Sequence, residues 1–197
     1  VTWPASIYCG FMIGMFRCLT GTGPVLIAVD QTHNMYFGSQ VAFKSVIAAQ
    51  AAALFCWLAI DNGDRVGGLV FSDVASSLVK PKRSRRSALH LLNQVFQYNQ
   101  QLQEREDPEA LIPEDPTFKP GLAHALGKIR RITKPGSTLY VISDFLTLDE
   151  KALQYLNQLS QHNNVVCCFV YDALEETLPV PGIYSITDGG KKGALNT

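Results

Sequence analysis

At 197 residues the chain is long enough for one domain, or one domain with an appendage, to bury a sizeable core. Its composition, 47% hydrophobic and 17% charged, is that of an ordinary soluble globular protein. Seventeen basic and seventeen acidic residues cancel, so no global charge directs it to nucleic acid or to an anionic membrane.

Residues 1–23 show no convincing period and stand as an unassigned N-terminal segment, closed by Gly21 and Gly23. Within it SIYCGFMIGMF lacks a basic leader and a clear cleavage site, so it does not read as a signal peptide. The chain starts at Val1 without a methionine, which leaves room for an upstream region that carries a membrane anchor. From Val25 the pattern becomes regular. VLIAV is a continuous apolar run, as expected of a strand covered on both faces in a parallel sheet.

A helix follows from about Val41 to Ile60, with alanines at 48, 49, 51, 52 and 53 that let it lie close on a sheet. Its apolar run is too short for a comfortable membrane span and reads as a core helix, stopped by Asn62-Gly63. RVGGLVFSD (65–73) is a second buried strand, and SSLVK (76–80) pairs back on it through a turn near Asp73 to Ala75. Ser84 or Ser87 caps a helix running to about Glu104, with Leu89, Leu92, Phe96 and Leu102 on one side.

EREDPEALIPEDPTFKP (104–120), rich in proline and acids, reads as a surface loop. A short helix at about Gly121 to Ile132 leads through Pro135-Gly136 to STLYVIS, a third buried strand ending at Asp144. Thr147 and Glu150 have the spacing of a capping box for a helix with Leu148, Ala152, Leu156 and Leu159 on its apolar side. NVVCCFVY (164–171) is a fourth buried strand before Asp172, and GIYSIT (182–187) adds an edge strand. The domain spans 24–190, with 191–197 as a C-terminal tail. Alternating strands and helices imply a doubly wound, mostly parallel α/β sheet with one antiparallel strand, whose ligands bind beyond the carboxyl ends of the strands.

That geometry selects the polar residues. Three apolar strands end in Asp30, Asp144 and Asp172, each of which caps a following helix or accepts loop amides. Asp30, Thr32 and Asn34 place an oxygen at every second residue of an extended turn, which suits a hard cation such as Mg²⁺ or Mn²⁺, with Asp144 as a fourth ligand. KPKRSRR (80–86), with Lys80, Lys82, Arg83, Arg85 and Arg86, is a solvated loop or a docking patch for an acidic partner surface. Asp172, Glu175 and Glu176 read as solvated acids, with Asp172 fixing its turn, and His33 as an exposed loop residue. The five cysteines are odd in number, form no C-x-x-C pair, and show no ligand spacing with the four histidines. They point to a reducing compartment, hence the cytoplasm or the inner face of the membrane.

Asp30-x-Thr32-x-Asn34 with Ser143-Asp144 resembles the metal-ion-dependent adhesion site of von Willebrand factor A domains, which reads D-x-S-x-S, then a threonine, then an aspartate. VLIAVDQTHNMYFGS, the helix bearing Lys44, GDRVGGLVFSD, LYVISDF and VYDALEETLPVPG resemble one bacterial branch, the domain-of-unknown-function family fifty-eight, over about residues 24–188. The chain departs from the adhesion-site pattern at Thr32 and Asn34, which stand for serines. Lys119-Pro120-Gly121 stands where a threonine is expected, with Thr117 out of step. The resemblance implies a von Willebrand factor A-like fold and a non-catalytic protein-binding adaptor with a degenerate metal site. Its partner would be a MoxR-type AAA+ ATPase, in the assembly or maturation of other proteins. The alternative is a metal-dependent phosphatase of haloacid-dehalogenase type with Asp30 as nucleophile, although position 32 is threonine and not a second acid.

Overall fold

The computed structural model describes residues 23–39, 42–103, 121–176, 182–187 and 192–196. The N-terminal segment up to residue 22 and the acidic stretch 104–120, with Thr117 and Lys119, lie outside the described residues.

Five strands form one sheet in the order β3-β2-β1-β4-β5. They are β1 (Val25–Asp30), β2 (Val66–Phe71), β3 (Ser76–Lys82), β4 (Thr138–Ser143) and β5 (Asn164–Phe169). All neighbours run parallel except β2 and β3, which are antiparallel. This is the doubly wound, mostly parallel sheet that the alternation of elements predicts. Its order reverses at β1, so the carboxyl ends of β1 and β4 flank the crevice where such sheets bind ligands.

Every residue of β1, β2 and β4 is buried, because helices cover both faces. On one face α1 (Lys44–Asp61) and α2 (Arg85–Gln103) pack on Val25, Ile27, Val29, Val70 and Ile142. On the other, α3 (Leu122–Ile132) and α4 (Glu150–Ser160) pack on Leu26, Ala28, Leu69, Leu139 and Val141. The period of two along each strand thus feeds two separate cores. Ala48, Ala52 and Ala59 are fully buried in α1, so the helix lies close to the sheet, and Phe55 stacks on Tyr140 of β4 at 4.2 Å between centroids. α1 is the one helix among the described residues long and apolar enough to span a membrane, and in this fold it is a core helix.

Four expectations are corrected. The buried stripe of α2 is Ala88, Leu91, Val95, Tyr98 and Leu102, while Leu89 and Phe96 are exposed. Both stripes are apolar at helical spacing, and contact with the sheet decides between them. The cap of α4 is Asp149, whose side chain accepts from the Ala152 N–H at 2.7 Å. Thr147 instead accepts from the Leu122 N–H at 3.3 Å and so serves the first turn of α3. β5 is an edge strand with Cys167 and Phe169 exposed, not a fourth fully buried one. The strand at Ile183–Thr187 (β6) is present, but it pairs with Lys192–Asn196 (β7) in a separate two-stranded sheet.

The two glycines inside β2 have different causes. A Cβ on Gly68 would lie 2.1 Å from the Ile27 carbonyl oxygen in β1. A Cβ on Gly67 would meet Pro81 and Val79 backbone at 2.5 Å, where the pairing with β3 shifts register in a bulge. We expect Gly68→Ala to cost about 3 kcal/mol or more, by backbone overpacking. Gly136→Ala, in open space at φ 80°, is expected to cost only about 1–2 kcal/mol of left-handed strain. Urea unfolding midpoints of the two variants check the order.

Candidate functional site

Each of the three strand-end aspartates accepts the amide two residues on. The Thr32 N–H donates to Asp30 Oδ1 at 2.9 Å, the Leu146 N–H to Asp144 Oδ1 at 3.1 Å, and the Leu174 N–H to Asp172 Oδ1 at 3.0 Å. These local turns bring the loops after β1, β4 and β5 to one rim.

Asp30 is the centre of the first group. Its residue is wholly buried; Thr32 Oγ1 donates to Oδ1 at 2.7 Å and Ser143 Oγ donates to Oδ2 at 2.5 Å. Burial pushes its carboxyl up to about 6, against the lowering effect of the Ser143 and Thr32 hydrogen bonds, and the nearby Asp144 charge adds to the rise. Ser143 Oγ also accepts the Phe145 N–H at 3.0 Å. Phe145 has φ 55°, a left-handed conformation that costs a bulky residue on the order of 1–3 kcal/mol. Asp30 therefore holds Ser143, and Ser143 holds the strained turn that carries Leu146 outward.

Lys44, the first residue of α1, organises the second group. It is 2% exposed, and its Nζ donates to Asp144 Oδ2 at 2.9 Å and to Glu175 Oε1 at 2.7 Å, with the Phe37 ring centroid at 5.9 Å. Burial lowers its pKa, but the bonds to Glu175 and Asp144 and their charges outweigh that, so the net direction is upward. Glu175, on the short helix α5 (Ala173–Glu176), also accepts the Asp172 N–H at 2.8 Å. Asp172 accepts both the N–H and the hydroxyl of Ser39, which outweigh its desolvation and hold its carboxyl below the usual range. Asp172 fixes its turn as expected and also joins this network, and Glu175, expected to be solvated, is held within it.

The alternation of oxygens expected after Asp30 holds only as far as Thr32. His33–Met35 form a 3₁₀ turn that buries Met35 fully, and Asn34 comes out exposed and outside the network. The His33 N–H donates to Asp73 Oδ2 at 2.7 Å, and its carbonyl accepts the Tyr36 N–H at 2.8 Å. A divalent cation needs several oxygens with free lone pairs. Here Asp30 accepts three hydrogen bonds, and both oxygens of Asp144 are engaged, one of them by an ammonium. Among the described residues no three His, Cys, Asp or Glu side chains converge as ligands would. This arrangement fits an ammonium and does not fit a dication, which Lys44 would repel at Asp144.

The basic residues lie elsewhere. Lys82 pairs with Val66 at the start of β2, whereas Asp30 and Ser76 flank Phe71 at its end. Five residue steps of roughly 3.3 Å separate them, about 17 Å. Lys80, Lys82, Arg83, Arg85 and Arg86 are all exposed, at the end of the sheet opposite the rim. Arg83 Nε donates to the Gly63 carbonyl. Lys80, Pro81 and Lys82 sit on the outer strand beside the bulge, where lysine and proline protect an edge from pairing.

No sequence signal marks Ser39; Ser143 and Lys44 stand out only within the motifs of the family likeness, and Glu175 reads as a solvated acid. A lysine opening an apolar helix with no acid in its first turn is the one local signal available.

Sheet order and rim together define an open α/β domain with its candidate site at the strand carboxyl ends. The chain belongs to the family described as protein of unknown function DUF58, whose model matches residues 22–196. No curated protein sequence matches it. Among solved structures it is similar to proximal thread matrix protein 1 from the mussel byssus. Identity there is 8% and the TM-score 0.48, with 75% of this chain and 37% of that one covered. The chain thus spans well under half the length of that protein. It is also similar to the SpRpn10 VWA domain (10% identity, TM-score 0.36, 76% and 89% covered). A third is an uncharacterized membrane spanning protein from Vibrio fischeri (16% identity, TM-score 0.32, 87% and 77% covered).

Because the folded-state carboxyl of Asp30 is raised, the folded state holds a proton that the unfolded state has released between about pH 4 and pH 6. Its contribution to stability therefore falls as pH rises through that window. We expect the stability of the wild type relative to Asp30→Asn to drop by on the order of 3 kcal/mol between pH 4 and pH 7. Parallel denaturation curves across that range check it; equal slopes for the two proteins refute the assignment.

Proposed function

We propose that this domain is a non-catalytic protein-binding module whose recognition edge is the rim at the β1–β4 switch. It works as an adaptor with a MoxR-type AAA+ ATPase in the assembly or maturation of other proteins, in a reducing, cytoplasmic setting. The observation that carries this reading is the surface around the buried charges. Leu146 is 66% exposed, Phe169 53%, Phe37 41% and Leu174 38%, and each adjoins the network through the Asp144 turn, the Phe145 ring, the Lys44 ammonium or the Asp172 turn. Exposed apolar side chains gathered over a fixed polar frame are what a protein–protein contact uses. The ATPase as partner, and the membrane-proximal position that an upstream anchor would give, rest on family likeness.

Arg83, Arg85 and Arg86 supply a second contact, for an acidic surface, at the far end of the sheet; edge protection accounts for Lys80 and Lys82. The phosphatase reading gains nothing from the geometry, since a nucleophilic carboxylate must reach phosphorus and Asp30 is fully covered, with both oxygens engaged.

Purified MoxR-type ATPase from the same cell is expected to bind the wild-type chain, and Leu146→Asp with Phe169→Asp to weaken binding at least about tenfold while leaving the fold intact. Unchanged binding by that double variant would remove the rim from the proposal. Turnover of a generic phosphate ester with Mg²⁺, lost in Asp30→Ala, would overturn the non-catalytic assignment.

A further inference from the structure

We infer that the rim carries its own cation: the Lys44 ammonium does here the structural work that a divalent metal does in a metal-ion-dependent adhesion site, and the rim is built without metal. Three separate loops converge on this one Nζ. The loop after β1 contributes the Phe37 ring at 5.9 Å, the end of β4 contributes Asp144 at 2.9 Å, and α5 contributes Glu175 at 2.7 Å. Glu175 then accepts the Asp172 amide, and Asp172 grips Ser39, so the chain of bonds returns to the loop that leads into α1.

The location argues against an incidental pair. Lys44 stands at the start of a helix, where the backbone dipole disfavours a positive charge, and it is 2% exposed in an otherwise apolar helix. An ammonium there is tolerable only when anions face it, and two do, from elements 100 and 131 residues further along the chain. Asp144 and Glu175 bring two negative charges to one positive, so the pocket is already provided with its cation. A dication beside Lys44 would leave three positive charges on the same two carboxylates. The second serine of the adhesion-site pattern is correspondingly dispensable: Asn34 lies exposed, outside the cluster. This assignment is independent of whether a partner docks on the rim.

The test is thermal unfolding of the full chain after chelator treatment, with and without Mg²⁺ or Mn²⁺ at 10 mM. Wild type is expected to move by less than about 1 °C, since nothing binds the folded state selectively. Lys44→Ala vacates the pocket, and Mn²⁺ is expected to raise its melting temperature by about 3 °C or more; adding Asp144→Asn to it should abolish the response. If Lys44→Ala does not fold under chelator, refolding from urea with and without Mn²⁺ replaces the melt. Recovery with metal alone supports the assignment, and no recovery in either case overturns it. A metal response of about 3 °C in the wild type that disappears in Asp144→Asn overturns it as well, as does a folded Lys44→Ala that ignores both ions.

Discussion

The contact on which the rim depends is the ion pair between Lys44 and Asp144, two residues 100 positions apart that are both almost wholly removed from solvent. Burying two charges costs several kcal/mol for each, and attraction alone rarely recovers it. The pair persists because its remaining valences are filled: Asp144 takes the Leu146 amide, and the ammonium takes Glu175. Such a network adds little net stability. It fixes geometry, because any displacement of α1 against β4 would leave a charge unpaired in a dry place. The apolar cores on the two faces of the sheet hold the domain together, and the charges decide what shape its upper rim takes.

The neighbouring carboxylate works in series with that pair. Asp30 is held by Thr32 and Ser143, and Ser143 accepts the amide of Phe145, whose left-handed backbone turns the chain so that Leu146 stands in solvent. An unfavourable backbone conformation next to a candidate contact surface survives only where its surroundings over-determine it. Here a buried hydroxyl and a buried carboxylate do so. The outward apolar surface and the inward polar frame are therefore one construction.

Much of this was legible from residue order. Continuous apolar runs at β1, β2 and β4, an alanine-rich helix and the Asn62-Gly63 stop specify the layered α/β sheet, because full burial on two faces leaves no other pattern. The failures have local causes. Leu89, Leu92 and Phe96 form as good an apolar stripe as Leu91, Val95 and Tyr98, and only the sheet beneath α2 decides that Leu89 and Phe96 face outward while Leu92 still packs against the core. Thr147 and Asp149 are both competent caps two residues apart, and the amide of Leu122, on another helix, claims the first. At the site, Asp30 and Asp144 stand out as strand-end acids, while Glu175 looks like any solvated acid until α5 brings it to Lys44. No periodicity records a bond across 131 positions.

The sheet ends in two unlike margins. Along β3 the lysines, Pro81 and the bulge make its outer hydrogen-bonding groups a poor template. β5 is regular over six residues, NVVCCF, with no proline and no charge, and among the described residues no strand adds to its far side. Strand addition is thus disfavoured along β3, and none of those deterrents occurs along β5. The β5 flank is the one that runs up to Phe169 and the rim.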